Sequence, residues 1–573
     1  MDYRKKYEQW LHHPAMEKEL KRELEMIATD QAEVSSCFSR ELTFGTGGIR
    51  GQMGAGIARL NIYIIHKVTA GLANYLNQTV GTMPSVVIAY DTRHKSRRFA
   101  RETAAVLTYR GIKAWLFEEP VPTPLLSFAV RELKASAGVV ITASHNPPSD
   151  NGYKVYGSDG GQITDTPARD ITAQISLIED ELAVPVADLE KAEKSGLFEQ
   201  VGQDIEELYF KRLQELYFSS DWWGKGPLPV RVVYTPLHGT GSKAVPRALK
   251  NAGVKDLFVV PEQAEMDPDC PTVCCPNPEE PEVFDLAVIL GRKEGADLLL
   301  ATDLDADRLG AMVRSRAGDY VTLTGNQLGC LMLDYLLSRK QERGELPANG
   351  TVIQTVVTTA MGKAVAGSYG VEVVETLTGF KYLGEQIKEH VDTGKKTFLF
   401  GFEESCGYLA GNFVRDKDGI QAAQLAAEMV AYYNHRGLNA LEAMEQLFRT
   451  HGYFREELVN LELTESEPER VEQVMEHLRG TDLRLVGLPV VRIDDYLKQE
   501  SIDSLTGKRL PTLLPPSNSL KYFLERDAWF CIRPSGTEAK IKIYLGVREN
   551  RSEKATAELF SLKEKVLAVV EAI

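Results

Sequence analysis

The chain has 573 residues, with 66 lysines and arginines against 81 aspartates and glutamates, so its net charge is −15 at pH 7. This length predicts roughly three to five domains, and an apolar fraction of 43% is ample for their cores. The acidic balance argues against nucleic acid or an anionic membrane as a partner. No apolar run reaches the roughly 18 residues that a membrane-spanning helix needs.

The amino terminus and the cysteines predict a cytoplasmic protein. Residues 1–6 lead into a charged helix, unlike the apolar core of a secretory signal. Four of the seven cysteines are scattered, which fits reduced thiols: Cys37, Cys330, Cys406 and Cys531. Cys270, Cys274 and Cys275 cluster, but a zinc site would need a fourth ligand and the usual spacing. We therefore interpret this cluster as part of a loop.

Strand-like and helical runs alternate after a predicted helical arm over residues 1–40. This alternation predicts βαβ units and mainly parallel sheets. The first set combines helices from about Arg98 to Arg110 and from about Leu125 with three strands: Ser85–Tyr90, Lys113–Phe117 and Ala137–Ile141. Later strand-like runs repeat the pattern: Pro229–Tyr234, Leu257–Val260, Asp297–Ala301, Thr351–Val357, Val371–Glu375 and Thr397–Phe400. We expect three α/β domains here.

The last section differs from the rest. Strands flank Cys531, and the closing helix carries apolar residues on one face: Leu559, Leu562, Val566, Val569 and Ile573. The fold class predicted is therefore α/β, with three similar mixed-sheet domains followed by a smaller α+β domain. The boundaries predicted are 1–210 with the helical arm, 211–322, 323–455 and 456–573.

The first motif in chain order is the glycine-rich segment Gly45–Gly51, which surrounds Arg50. Glycines let a backbone approach an anion closely, and Arg50 adds positive charge. The segment is neither a Walker loop nor a dinucleotide fingerprint. An ordinary flexible loop explains its composition equally well.

The second motif, Thr142–Pro148, follows an apolar strand and ends in two prolines. Ser144 is therefore presented on a turn beside the imidazole of His145. A hydroxyl held there by a rigid scaffold can carry a covalent group. Taken alone, a hydrogen bond within the turn is the commoner explanation of such a pair.

The third motif, Asp303–Arg308, places three carboxylates within five residues after a strand. Such carboxylates repel one another unless a cation lies between them. Hard oxygen ligands favour Mg²⁺ or Ca²⁺ over zinc, and the positions of Arg308 and Arg314 exclude an EF-hand. Mg²⁺ is favoured because it is usually bound together with a phosphate oxygen. A solvated acidic turn is the alternative.

Two further loops follow strand-like runs. Glu403 and Ser405 stand at alternate positions, where they could bind sugar hydroxyls, although a solvated Glu-Glu loop is common. The later loop contains Arg533, Ser535, Gly536 and Thr537, which offer a guanidinium, hydroxyls and backbone N–H groups to a phosphate. An ordinary hairpin loop remains open as the alternative for this segment.

Together, these motifs make the chain resemble the α-D-phosphohexomutases, most closely their longer bacterial phosphoglucomutase branch. The resemblance runs from about residue 40 to the end, with the phosphoserine, metal, sugar and phosphate loops in the family order. Further segments match as well: Tyr234–Gly241, Pro276–Pro281, Leu323–Asn326 and Thr378–Lys381. The resemblance implies four domains around a central cleft.

The resemblance also implies a mechanism. A phosphate on Ser144 would pass to glucose 1-phosphate, and the glucose 1,6-bisphosphate formed would turn around and return its other phosphate. Asp303, Asp305, Asp307 and Ser144 would hold one Mg²⁺ per chain, and glucose 1,6-bisphosphate would act as activator. Further residues with implied roles near the reacting or distal phosphate are Arg50, His145, Lys154, Arg308, Lys381, Arg533, Ser535, Gly536 and Thr537.

The proton-transfer group is the open point of this resemblance. Lys154 matches a lysine that the family places beside the phosphoserine, and neighbouring cations would lower its pKa. Lys381 is a second candidate, or else a phosphate ligand. Some relatives carry a histidine just after the sugar-loop serine, but here Cys406, Gly407 and Tyr408 follow.

Several alternatives remain at the level of sequence. Mannose, glucosamine or pentose phosphates could replace glucose phosphate, although Ser405 favours glucose or mannose. A serine- and metal-dependent sugar phosphatase is another enzyme class, but the clustered histidines of two-metal phosphatases are missing. A sugar-phosphate-binding regulator would be expected to have lost Ser144 or an aspartate. We expect small sugar phosphates as partners, and a monomer or weak homodimer.

Overall fold

The structure is a computed structural model that describes residues 2–45, 47–224, 226–462, 468–481, 489–534 and 540–571. The chain divides into two compact units. The first comprises Met1–Leu328 and Phe380–Asn439, and the second comprises Gly329–Gly379 and Ala440–Ile573. The described helices include none that is long and apolar enough to cross a membrane.

The predicted helical arm is confirmed as three helices: α1 (Tyr3–Leu11), α2 (Lys18–Ile27) and α3 (Gln31–Phe38). The side chains of Asp2 and Asp30 accept hydrogen bonds from the first-turn N–H groups of α1 and α3, which explains where these helices begin. Trp10 is fully buried and packs edge-to-face against Phe38 and Tyr63. The arm therefore shares the core of the first sheet.

The first sheet has six strands in the order β1-β5-β4-β2-β3-β6. Strands β4, β2, β3 and β6 are parallel, whereas β5 pairs antiparallel with β4 and β1 pairs antiparallel with β5. The strands are β1 (Gly48–Gln52), β2 (Ser85–Tyr90), β3 (Lys113–Phe117), β4 (Ala137–Ile141), β5 (Asp150–Gly157) and β6 (Phe198–Val201). The helices are α4 (Ile62–Thr79), α5 (Ser96–Tyr109), α6 (Thr123–Glu132), α7 (Asp165–Ser176), α8 (Leu189–Lys194) and α9 (Gln203–Leu213).

The second sheet has five strands in the order β11-β10-β9-β7-β8. Strands β9, β7 and β8 are parallel, and β10 turns back antiparallel beside β9. Its elements are β7 (Arg231–Thr235), α10 (Gly241–Asn251), β8 (Asp256–Val259), α11 (Asp285–Glu294), β9 (Leu298–Thr302), β10 (Leu309–Arg314) and β11 (Tyr320–Leu323).

A third α/β region follows. Strands β12 and β13 are parallel, and β14 and β15 form an antiparallel pair. Its elements are α12 (Gly325–Glu342), β12 (Gly350–Thr355), α13 (Ala360–Ser368), β13 (Glu372–Thr376), α14 (Phe380–Thr393), β14 (Thr397–Glu403), β15 (Gly407–Leu409), α15 (Gly419–His435) and α16 (Ala440–His451).

The last region is a seven-stranded antiparallel sheet in the order β16-β22-β21-β20-β17-β18-β19. Its strands are β16 (Tyr453–Glu462), β17 (Val490–Asp495), β18 (Glu500–Asp503), β19 (Arg509–Pro511), β20 (Leu520–Leu524), β21 (Trp529–Pro534) and β22 (Lys540–Glu549). Two helices, α17 (Pro468–Gly480) and α18 (Ser552–Glu571), contribute to one apolar core with this sheet. Leu562 and Val566 of α18 are buried there, as predicted, whereas Ile573 lies outside the described residues.

The predicted fold class is confirmed: three α/β regions precede a smaller α+β region. The differences concern the ends of elements. The helix expected from about Arg98 begins at Ser96, because Lys95 adopts a left-handed conformation (φ 62°) directly before it. The four domain boundaries stay predictions.

Candidate functional site

The phosphoserine-type loop lies where two neighbouring strands end. Strands β2 and β4 are parallel and paired as far as Tyr90 and Ile141, so residues 91–93 and 142–144 emerge at the same edge. The fully buried guanidinium of Arg93 donates to the backbone carbonyls of Ser144, Asn146, Pro147 and Asp150. Arg93 therefore fixes the backbone of the loop over residues 144–150 through four hydrogen bonds.

Ser144 has a left-handed backbone (φ 53°), which is strained for a residue with a side chain. Its N–H donates to Thr142 Oγ1 at 2.8 Å, and its hydroxyl donates to Asp303 Oδ2 at 2.6 Å. The Nδ1 atom of His145 lies 3.3 Å from the same hydroxyl. The loop thus aims Ser144 at the aspartate loop of the second sheet.

The three aspartates follow β9 in the turn that leads to β10. Asp303, Asp305 and Asp307 are fully buried, and one oxygen of each lies within 4.8 Å of the others. Asp305 Oδ1 and Asp307 Oδ1 accept no hydrogen bond from the residues that the structure describes. Buried carboxylate oxygens without donors fit a hard divalent cation such as Mg²⁺. This cluster could hold a metal ion.

Two lysines contact the aspartates. Lys154 Nζ lies 2.9 Å from Asp305 Oδ2 and 3.5 Å from Asp307 Oδ2. Lys417 Nζ lies 2.8 Å from Asp307 Oδ2. Lys154 reaches the cluster from β5, and Lys417 from the segment before α15. The expectation that cations flank Lys154 is thus incomplete, because its direct ion-pair partners are carboxylates.

The pKa values follow from this arrangement. Burial, and then repulsion by Asp305 and Asp307, raises the pKa of Asp303. Burial acts against the charged form of Lys417, but attraction by Asp307, Asp416 and Glu403 outweighs it and raises the lysine pKa. For His145, burial and then Arg308 and Arg50 lower the pKa, so its imidazole is neutral at pH 7.

Two arginines border the serine and the aspartates. Arg50, on β1, donates to Asn146 Oδ1 at 3.0 Å. The backbone N–H of Arg308 donates to Asp303 Oδ1 at 3.1 Å, and its guanidinium forms an ion pair with Glu279. Arg308 also forms a backbone bridge with Gly407, next to the sugar-type loop. These contacts bring the glycine-rich, phosphoserine-type, metal-type and sugar-type loops together.

The sugar-type loop joins β14 to β15. Glu403 is buried and hydrogen-bonded to Ser405, which is partly exposed. Burial raises the pKa of Glu403, although Lys417 and Arg308 oppose that effect. At Gly407, a Cβ atom would come within 2.9 Å of Glu403 Oε1, so glycine leaves room for the carboxylate.

Lys381 does not contact the aspartate cluster, and most of the predicted phosphate loop lies outside the described residues. The ammonium of Lys381 donates to Asp165 Oδ1 at 2.8 Å, at the start of α7, rather than to the aspartate cluster. Arg533 ends β21, and Ser535, Gly536 and Thr537 lie outside the described residues. The roles of these residues stay predictions.

Two residues of the site, Arg93 and Lys417, were not predicted from the sequence. The sequence context of each residue offers a clue. Arg93 stands three residues after a fully buried strand, and Lys417 precedes the almost entirely buried helix α15. A charged residue at such a place is expected to lie near the edge of a sheet where other loops meet.

The cysteines give no second metal site. All seven thiols are free. Within the described ranges, the only group of three or more potential metal ligands is the aspartate cluster. Cys270, Cys274 and Cys275 lie in a segment without helix or strand, as predicted.

Comparison with known proteins gives matches along most of the chain. Residues 41–181, 207–318 and 324–450 match the family models for phosphoglucomutase/phosphomannomutase α/β/α domains I, II and III, respectively. A phosphoglucomutase of Staphylococcus haemolyticus is 36% identical over 531 residues, which cover 91% of this chain and 93% of that protein. One of Staphylococcus epidermidis is 39% identical over 516 residues, 88% of this chain and 90% of that protein.

A solved structure shares the fold. The open form of the phosphoglucomutase pp63/parafusin from Paramecium superimposes with a TM-score of 0.66 at 18% sequence identity. The match covers 92% of this chain and 94% of the Paramecium protein.

Proposed function

Since the chain belongs to the phosphoglucomutase/phosphomannomutase family, we propose that it is an isomerase that interconverts glucose 1-phosphate and glucose 6-phosphate. The observation that carries this proposal is the 2.6 Å contact between the Ser144 hydroxyl and Asp303, within a buried cluster that also contains Lys154. A nucleophile, metal-type carboxylates and a proton carrier are thereby in direct contact.

The reaction proceeds as a covalent relay. A free sugar hydroxyl attacks the phosphorus held on Ser144, the new sugar O–P bond forms, and the bond to Ser144 Oγ breaks. The attacking hydroxyl loses a proton, and Ser144 Oγ regains one. The glucose 1,6-bisphosphate formed then reorients, and Ser144 Oγ takes its other phosphoryl group by the reverse step. Glucose 1,6-bisphosphate is thus both intermediate and activator.

Asp303, Asp305 and Asp307, together with Ser144, would hold one Mg²⁺ per chain. Mg²⁺ supplies positive charge that offsets the charge of the transferring phosphoryl group. The donors fit this ion because they are buried carboxylates with oxygens that accept no hydrogen bond from the described residues. Arg93 fixes the backbone of Ser144 while the transfer takes place.

Lys154 is the proton carrier in this proposal. Its amino group is largely buried and lies next to the aspartates. As the neutral amine it takes the proton of the attacking hydroxyl, and the ammonium so formed gives a proton to Ser144 Oγ as the bond to phosphorus breaks. Lys417, in contrast, is held between Asp307, Asp416 and Glu403, which favour its charged form. We assign Lys417 to stabilising the cluster and the phosphoryl charge.

The remaining loops bind the sugar phosphate. Glu403 and Ser405 accept or donate hydrogen bonds to ring hydroxyls, and Arg50 and Arg308 add positive charge near the transferring group. Arg533, Ser535, Gly536 and Thr537 would bind the phosphate that does not react, and Lys381 would assist them. Small sugar phosphates are the partners in this proposal, in a cytoplasmic enzyme that is a monomer or weak homodimer.

Phosphorus NMR tests the proposal. The full chain is mixed with glucose 1-phosphate, Mg²⁺ and a trace of glucose 1,6-bisphosphate. A growing glucose 6-phosphate signal, missing with Ser144→Ala, is expected. Accumulation of inorganic phosphate would instead establish a phosphatase. If neither product forms, mannose and pentose phosphates would be tested as substrates.

A further inference from the structure

The antiparallel sheet of the second unit has two very different faces. In β20, Leu520, Tyr522 and Leu524 point into the apolar core formed with α17 and α18. Because side chains alternate along a strand, Lys521 and Phe523 point to the opposite face. Arg492 of β17 pairs directly with Phe523, and Phe523 pairs with Trp529 of β21. This second face is therefore cationic and aromatic.

This face borders a cavity of about 540 Å³. Helix α13 supplies the opposite wall, including Lys363. The charged and aromatic residues lining the cavity include Lys363, Arg492, Lys521, Phe523, Trp529 and Arg548. A cavity of this size is in the range of sites for small metabolites.

Lys521 is the unusual member of this set. Its side chain is only 4% exposed, and its ammonium donates to the carbonyl of Val356. The same ammonium lies 4.9 Å from the ring centroid of Phe523 and 4.6 Å from that of Trp529. Among the described residues, no carboxylate lies within ion-pair distance of it. Burial lowers the pKa of Lys521, as expected for a cation without a paired anion.

The other cations of the cavity each have an acidic partner. Lys363 lies 2.7 Å from Glu375, Arg548 lies 3.0 Å from Asp527, and Arg492 lies 3.2 Å from Asp494. These three cations are each neutralised by a nearby carboxylate, whereas the ammonium of Lys521 has no ion-pair partner among the described residues. An isolated buried ammonium is costly, so an anion that enters the cavity would gain an interaction that the protein itself does not provide.

The aromatic walls add a second property. The guanidinium of Arg492 lies 3.6 Å from the centroid of the Phe523 ring. This cation–π contact holds the Arg492 side chain against the ring. Phe523 and Trp529 offer ring surfaces beside the ammonium, and such surfaces suit the flat or apolar body of a ligand. A ligand that contacts both the ammonium and the aromatic rings would combine an anionic group, such as a phosphate, with a ring.

We propose that this cavity is a second ligand site, separate from the Ser144 cluster, and that it binds a phosphate monoester of a small ring-containing metabolite. The phosphate contacts Lys521 and Arg492, and the ring packs against Phe523 and Trp529. The elements involved come from residues 358–375 and from the antiparallel sheet, so a bound ligand joins the two parts of the second unit.

Isothermal titration calorimetry on the full chain tests this site, with AMP and inorganic phosphate as probes. AMP is expected to bind, and Lys521→Met to weaken it at least about tenfold, because a charge-assisted hydrogen bond is lost. Arg492→Gln, at an exposed position, is expected to act in the same direction and serves if Lys521→Met fails to fold. Arg509→Gln is the matched control, because Arg509 lies on β19 of the same sheet and does not line the cavity.

Four outcomes would overturn the proposal. AMP heats that are equal in the wild type, Arg492→Gln and Lys521→Met would place AMP elsewhere. Competition between glucose 1-phosphate and AMP that is equally strong in the wild type and in Lys521→Met would place AMP in the Ser144 site. Binding of inorganic phosphate without AMP would refute the ring-containing ligand. No binding of either probe would refute the site. None of these results bears on mutase activity, which the NMR experiment measures independently.

Discussion

The guanidinium of Arg93 donates a hydrogen bond to the carbonyl oxygen of Ser144 over 2.7 Å, and it binds three further carbonyls of the same loop. Ser144 needs this support because its left-handed backbone is strained. Arg93 is itself held by an ion pair with Asp91, and both side chains are fully buried. The position of Ser144 thus depends on a residue that contacts only the backbone of its loop.

Arg93→Met is expected to lower kcat at least tenfold with a smaller change in KM, because the loop loses its shape but not its ligands. It should also lower the free energy of unfolding by about 3–5 kcal/mol, since Asp91 is left as an unpaired buried charge. Steady-state kinetics and denaturant unfolding measure both effects. Arg101→Met, at an exposed position on α5, is the matched control. An Arg93→Met enzyme with normal kcat would contradict this role.

The two lysines at the aspartates are expected to respond differently. Lys154→Met should lower kcat by about 10²–10⁴-fold if Lys154 carries the proton. Lys417→Arg should keep most activity, because it preserves a charge beside Asp307, whereas Lys417→Met should not. Lys388→Met, which removes an exposed lysine paired with Asp392, is the control. A Lys154→Met enzyme with normal kcat would assign proton transfer to another residue.

The aspartate cluster predicts a link between metal and stability. Chelation should abolish activity, and Mg²⁺ should restore it and raise the Tm. In Asp303→Asn, the Mg²⁺-induced rise should disappear, while the metal-free variant should melt no lower than the metal-free wild type, because one of three repelling carboxylates is gone. Differential scanning calorimetry with and without Mg²⁺ measures both quantities. An equal Mg²⁺ shift in both proteins would place the ion elsewhere.

Asp418 predicts a pH dependence of stability. Burial raises its pKa from 3.8 to about 6, although it caps α15 and accepts a hydrogen bond from Tyr209. The folded state therefore holds this proton more tightly than the unfolded state. Its stabilising contribution is complete below about pH 4 and is lost as the pH rises through 6. The loss corresponds to about 3 kcal/mol.

Asp418→Asn removes this titration and keeps a capping side chain. The variant should therefore gain stability relative to the wild type between pH 4 and 6. Urea unfolding at several pH values measures the difference. A constant difference across that interval would show that Asp418 does not titrate there.

The parts of the site that lie within one short segment could be predicted from the sequence. Asp303, Asp305 and Asp307 stand at alternate positions of one short segment, so their mutual repulsion and the preceding strand favour a cation site over a solvated turn. Ser144 was predicted as a candidate from a strand followed by a turn with two prolines, together with the other motifs. The contact between Ser144 and Asp303 spans 159 positions and required the fold, although both residues follow strands that end at a sheet edge.

The roles of Arg93 and Lys417 could not be predicted from a short segment of sequence, and the reason is physical. Their functions depend on partners in other elements: Arg93 on the carbonyls of a loop after a neighbouring strand, and Lys417 on a carboxylate of the second sheet. Lys521 is a similar case, because only the pairing of β20 with β17 and β21 shows that its face is not the apolar core. Local periodicity locates strands, but it does not specify which loops meet.

The central claim is that Ser144 carries the phosphoryl group, and mass spectrometry tests it most directly. Dephosphorylated protein is incubated with glucose 1,6-bisphosphate and Mg²⁺, digested, and the peptide containing residues 142–148 is analysed. The account predicts one phosphoryl group on Ser144, which is removed again by excess glucose 1-phosphate and does not form in Ser144→Ala. A phosphoryl group on an aspartate of the cluster, or turnover without any phosphorylated protein, would contradict it.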